Sequence, residues 1–172
     1  MLRSLTPALA SLCLLTNATA AQELRLARPD PVEKRTAETE LRAPCEMTET
    51  VENCARILAC VGDSGLWFAG RAIGRGAGVL KGALSDGETC GGTWTERNWF
   101  GAGQADVTCS NGASGRVYFT YQDRWTGTAT GNGTLSDGNR IEMWSGNRVP
   151  EFLENTTGKP ALPCGEAAIP IS

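Results

Sequence analysis

Cysteine is the residue type with the most chemistry to offer in this chain, and histidine is the one it lacks entirely. Of seven cysteines, Cys13 lies in an apolar N-terminal run, leaving Cys45, Cys54, Cys60, Cys90, Cys109 and Cys164. An even number in an exported chain predicts three disulfides. With no CxxC pair and no imidazole, zinc lacks its usual ligands. The missing histidine also removes the commonest general base. Ser64, in Gly62-Asp63-Ser64-Gly65, would have to be activated by another group such as Lys81 or Lys159. Glu88, Glu96, Asp106, Asp123 and Glu142 show no paired spacing of the kind a glycosidase uses. Neither calcium-loop pattern is present, and Gly74-x-Gly76-x-Gly78 precedes no helical pattern that could receive a phosphate. The chain therefore reads as non-catalytic and without a cofactor. The rival is a small secreted hydrolase using carboxylates, or a serine without histidine.

Those cysteines must be placed in an oxidising compartment. Arg3, the apolar run Leu5 to Leu15 and the small-x-small triplet Ala18-Thr19-Ala20 make residues 1–20 a secretory signal peptide, too short for a membrane span. No later segment is apolar enough to cross a bilayer, so a secreted or periplasmic product is expected. The chain has 16 basic and 19 acidic residues; without Arg3, 15 against 19 gives −4. Basic residues are scattered, so nucleic acid has no electrostatic footprint.

Residues 21–44 mix charges with Pro29, Pro31 and Pro44 and few large apolar groups, predicting a flexible leader. Residues 45–172 are expected to form one disulfide-stabilised, β-rich domain with an irregular C-terminal tail. At its start, Met47, Val51, Cys54, Leu58 and Val61 fall at spacings of four, three, four and three, one face of a helix ended by Gly62. On such a helix Cys54 and Cys60 point to different sides and need different partners.

From Leu66 to Leu153 a phrase recurs: Leu84-Ser85-Asp86-Gly87, Cys109-Ser110-Asn111-Gly112, Leu135-Ser136-Asp137-Gly138. Its glycines are 25 and 26 residues apart, and each follows another glycine by 11 (Gly76, Gly101, Gly127). Beyond each phrase, Cys90, Gly92, Trp94, then Gly115, Val117, Phe119, then Ile141, Met143, Ser145 alternate with a more polar set, the mark of half-buried strands. A two-residue Asp-Gly loop would put the apolar sets of paired strands on opposite faces. A three-residue Ser-Asp-Gly loop, a type I turn with glycine in a G1 bulge, sets Leu84 opposite Glu88 and keeps one apolar face. Three antiparallel hairpins follow, forming a meander or small open barrel with one N-terminal helix. The same register places Cys90 and Cys109 on the inner face of successive hairpins and predicts their pairing. Cys164 is expected to staple the tail to one of Cys45, Cys54 and Cys60. Tyr118 and Trp144 fall on the outward face beside Arg116 and Glu142, where aromatics could stack on a glycan or anchor an envelope protein. Trp99 and Trp125 share a place 13 residues before the repeated glycine.

Two local resemblances attach to these stretches. Cys60-Val61-Gly62-Asp63-Ser64-Gly65 resembles the nucleophile signature of chymotrypsin-type serine proteases, but stops at Leu66 and lacks the family's histidine. Asp86-Gly87-Glu88-Thr89-Cys90-Gly91-Gly92-Thr93-Trp94 resembles a MORN repeat with cysteine replacing tyrosine, and the likeness extends in diluted form over residues 74–146. That resemblance implies stacked hairpins in an open meander used for scaffolding, membrane-lipid or protein contacts. The expectation is an exported β module that binds an envelope protein or glycan.

Overall fold

The computed structural model describes residues 35–123 and 128–171. The signal peptide, the first part of the leader and Trp125 lie outside the described residues. The chain runs α1 (Ala37–Arg42), β1 (Cys54–Val61), β2 (Leu66–Arg75), β3 (Ala77–Leu84), β4 (Thr89–Thr95), β5 (Gly103–Cys109), β6 (Ser114–Asp123), β7 (Thr128–Leu135), β8 (Arg140–Ser145), α2 (Val149–Thr157), β9 (Ala161–Cys164) and β10 (Ala167–Pro170). Strands β1 to β8 pair in sequence order, each antiparallel to the next, and β8 pairs with β1. The sheet is a closed eight-stranded meander barrel, not the open meander that the MORN resemblance implies. Closure removes both sheet edges.

The expected helix over residues 47–61 is a loop followed by strand β1. The apolar residues of Cys54–Val61 imitate helical periodicity because both faces of this strand are covered. Ile57, Ala59 and Val61 face the lumen, whereas Leu58 and Cys60 pack outward against α2 and β9. A strand buried on both sides loses its period-two signature. Cys54 and Cys60 do take different partners, because they lie on one face of β1 but six residues apart, roughly 20 Å along an extended strand.

The three turns have the geometry their register requires. Leu84 donates its N–H to the Glu88 carbonyl at 2.7 Å, Cys109 to Ala113 at 2.8 Å and Leu135 to Asn139 at 2.9 Å. Gly87, Gly112 and Gly138 all have φ near +90° (94°, 87° and 87°). In each turn the Asp or Asn side chain accepts the N–H two residues on. The serine of each phrase has a second role not visible in a single unit. Ser110 donates its N–H to the Thr89 carbonyl and accepts the Thr89 N–H; Ser136 does the same with Ser114, and Ser85 with Trp67. The repeated serine thus ties each turn to the hairpin before it.

Inside the barrel, glycines make room for two rings. A Cβ at Gly82 would lie 2.4 Å from the Phe68 ring, and one at Gly103 would lie 2.1 Å from that of Phe119. Both rings are buried, and the inward sets counted from the turns, Cys90, Val117, Phe119, Ile141 and Met143, form the core with Ile57, Leu80, Leu84 and Leu135. Cys90 and Cys109 are directly opposed on β4 and β5 and are disulfide-bonded.

A second apolar cluster lies outside the wall. The C-terminal tail is not irregular: α2 and the β9–β10 ribbon place Val149, Leu153, Leu162 and Cys164 over Leu58, Trp67, Ala69 and Trp144. Cys164 bonds to Cys60, locking this cover to β1. The remaining pair is Cys45–Cys54. Part of the expected flexible leader is also ordered against the barrel. Helix α1, with a capping box between Thr36 and Thr39, buries Ala37 and Glu40. Glu40 pairs with Arg71 at 3.0 Å, and Arg56 donates to the Glu40 and Ala43 carbonyls at 3.0 and 2.8 Å. Burial pushes the Arg56 guanidinium down from its ordinary value, with repulsion from Arg71 adding to it and Glu40 opposing.

A Cβ at Gly112 would meet nothing within 4 Å, so substitution there tests backbone conformation alone. Gly112→Val is expected to destabilise the fold by roughly 1–3 kcal/mol, and Gly112→Asn by less. Equal melting temperatures for wild type and Gly112→Val would contradict this.

Candidate functional site

The two ends of the barrel differ. One carries the three Ser-Asp/Asn-Gly turns and the Gly62–Gly65 turn, all short and tied by backbone hydrogen bonds. The other end is rimmed by the loop 46–53, the β2–β3 turn at Arg75-Gly76 and the β4–β5 loop 96–102. A chain of contacts joins these three. Asn53 and Gly74 exchange backbone and side-chain hydrogen bonds at 2.9 and 3.1 Å, and Glu96 donates its N–H to the Gly76 carbonyl at 2.6 Å. Arg75 holds Glu49 through both its carboxylate and its carbonyl. The Cys45–Cys54 disulfide closes the base of the 46–53 loop.

Behind this rim is a pocket of about 230 Å³, walled by Trp94, Ala105, Phe119, Tyr121, Met143 and Ser145, with Thr48, Glu49, Arg75 and Glu96 at its polar margin. Deeper in the lumen is a smaller void of about 70 Å³, entirely apolar. Ile57, Ala105 and Met143 line both spaces, so the two are neighbours within the lumen that share part of their wall. Phe119 and Tyr121 meet edge to face, with ring centroids 6.0 Å apart. The cavity can hold an apolar body and meet a polar end at the rim.

The residues expected on the outer face are divided by the structure. Tyr118 is half-exposed and Arg116 and Glu142 are exposed, but Trp144, although it points outward, is 4% exposed beneath the C-terminal cover. No flat row containing both aromatics exists. Around Tyr118 the register sets Gln104 and Asn132 on the neighbouring strands. Arg116 donates to Asp106 at 2.6 Å, and Gln104 donates to the same carboxylate at 3.0 Å. That hydrogen bond from Arg116 holds the Asp106 carboxyl below its usual range and raises Arg116 in turn. This patch satisfies itself on an open wall and encloses nothing.

Ser64 lies exposed in the β1–β2 turn, and no hydrogen bond joins it to Lys81 or Lys159 among the described residues. Among those residues there is also no cluster of three or more metal-ligating side chains. Sequence counting had already assigned Trp94, Phe119 and Met143 to the inner face. Their meaning as a cavity wall depended on closure of the sheet, for which the paired strand β1 gave a misleading signal.

No protein-family model matches the sequence, and no curated protein matches it. Two solved structures are similar in fold. The redesigned β-barrel mFAP0 bound to DFHBI has 19% identity and a TM-score of 0.44, covering 56% of this chain and 98% of that one. The redesigned barrel mFAP1 bound to DFHBI has 20% identity and a TM-score of 0.44, covering 56% and 94%.

In the Asp106 pair the folded-state value is depressed, so its contribution to stability is present at neutral pH and fades as pH falls through that value. Exposure keeps the contribution small. By NMR, the Asp106 carboxyl is expected to titrate below the ordinary range and to return towards it in Arg116→Gln; an unchanged midpoint would contradict the pairing.

Proposed function

We propose that this is an exported, non-catalytic binding barrel that takes a small amphiphilic molecule through its open end. The observation that carries the reading is the aromatic-lined mouth pocket set directly above the apolar void, the two sharing Ile57, Ala105 and Met143 as wall. Trp94, Phe119 and Tyr121 supply flat apolar surface at low entropic cost, and the Arg75–Glu49 pair at the margin can meet a polar head. A ligand here is contacted on several sides, whereas Tyr118 on the outer wall offers one face. With no histidine in the chain, the reading needs no proton transfer.

The three disulfides fit an oxidising location, secreted or periplasmic, and hold the elements around the cavity. The barrel wall is not a lipid-facing band. Thr93, Asp106, Arg116 and Thr134 point outward while the apolar set points inward, the reverse of a transmembrane barrel.

Ala105 is buried and lines both spaces, so a larger side chain there fills them. The wild-type protein is expected to bind the uncharged dye N-phenyl-1-naphthylamine with quenching of indole emission. Ala105→Phe should weaken this by at least about tenfold, or about 1.4 kcal/mol, while still melting cooperatively. Equal dye affinity in a folded Ala105→Phe protein would sink the proposal.

A further inference from the structure

Six large apolar side chains are exposed among the described residues: Met47, Val51, Val79, Trp99, Phe100 and Tyr118. Four of them lie on the two loops that flank the mouth. Trp99 and Phe100 are the extreme case, at 100% and 93% exposure, with Val51 at 81% on the opposite loop. An isolated exposed apolar residue requires no explanation, but consecutive aromatics beside a cavity entrance do.

The tip that carries them is built. Asn98 donates its N–H to the Ala102 carbonyl at 2.7 Å and accepts Gly101 N–H on its own carbonyl at 3.0 Å. Its side-chain oxygen accepts the N–H groups of Phe100 and Ala102 at 2.9 and 3.1 Å. Gly101, at φ 80°, completes the turn. The backbone is satisfied internally, so the two rings are projected outward by an ordered loop and pack against almost none of the protein. Such a tip is convex: it enters another medium, and it has no groove to receive a partner's side chain.

We infer that the mouth end seats on a neutral, zwitterionic lipid surface, with Trp99 and Phe100 inserted at the headgroup level and Val51 and Met47 resting on the other side of the entrance. Indole favours that interfacial depth, where its ring is apolar and its N–H remains hydrated. Charge selects the kind of lipid. The described residues of the two loops and the intervening turn carry Glu46, Glu49, Glu52 and Glu96 against Arg75 and Arg97, a net acidic rim that an anionic bilayer would repel. The contact stands on the rim residues alone. Where the lumen reading also holds, it names the source of the ligand: an amphiphile that resides in the bilayer facing the mouth.

The test is flotation of the intact oxidised protein with phosphatidylcholine vesicles, read with indole quenching by brominated lipid. Wild type is expected to float, to be quenched, and to bind equally at low and high salt. The double variant Trp99→Ser/Phe100→Ser should partition at least about tenfold more weakly with an unchanged melt. Ala105→Phe, which fills the lumen without touching the rim, should float like wild type. The lumen reading can then fail in the dye experiment while this one stands, and the reverse. Equal flotation of the double variant overturns the inference, as does binding confined to phosphatidylglycerol vesicles and lost in salt. Absence of wild-type flotation together with concentration-dependent dimers that the double variant abolishes overturns it in favour of a second copy of the chain.

Discussion

Strand β1 pairs with β2 on one side and with β8 on the other, from Ile57 opposite Ser145 to Val61 opposite Ile141, and the rest of the molecule depends on that second pairing. It turns a meander into a barrel, gives Ile57, Ala59 and Val61 a lumen to face, and leaves Leu58 and Cys60 on the outer side of the seam. An outer face so apolar needs its own cover. Helix α2 and the β9–β10 ribbon supply it, and the Cys60–Cys164 bond joins positions 104 residues apart, where a cross-link restricts the unfolded chain most. Helix α1 adds to the same wall through Glu40 and Arg71.

A second constraint is internal. Phe68 and Phe119 fit within the lumen because glycines stand on the strands beside them, so the glycine-rich composition is what admits large rings. Phe68 sits near the short turns beside the apolar void, and Phe119 sits higher, in the wall of the mouth pocket. The asymmetry of the two ends follows from loop chemistry. Each Ser-Asp/Asn-Gly turn closes within three residues and is tied by its serine to the preceding hairpin, whereas the loops 46–53 and 96–102 at the opposite end are longer and flank an entrance.

Much of this was legible locally. The turn type, the inward register and the Cys90–Cys109 pair follow from alternation and from the steric needs of glycine at positive φ, properties that a few residues determine. What was hidden is long-range. Residues 54–61 look helical because both faces of β1 are buried, and the partners that bury them lie near the other end of the chain. Trp144 does point outward, yet its exposure depends on α2, whose first residues, Val149 to Leu153, fall at the end of the stretch in which the sequence shows no helical pattern. The candidate site was half visible for the same reason. Trp94, Phe119 and Met143 could be assigned inward by counting, but a wall becomes a cavity only when the sheet closes.

The proposed binding mode is that the open end admits a ligand to the lumen in preference to the outer wall. Its most direct test is NMR of the protein with a bound amphiphilic dye, with the Met143 methyl as reporter inside and the Tyr118 ring as reporter outside. Intermolecular contacts from the dye to Met143 and Trp94, with Tyr118 unperturbed, are the predicted result. Contacts to Tyr118 with Met143 unperturbed would contradict the claim.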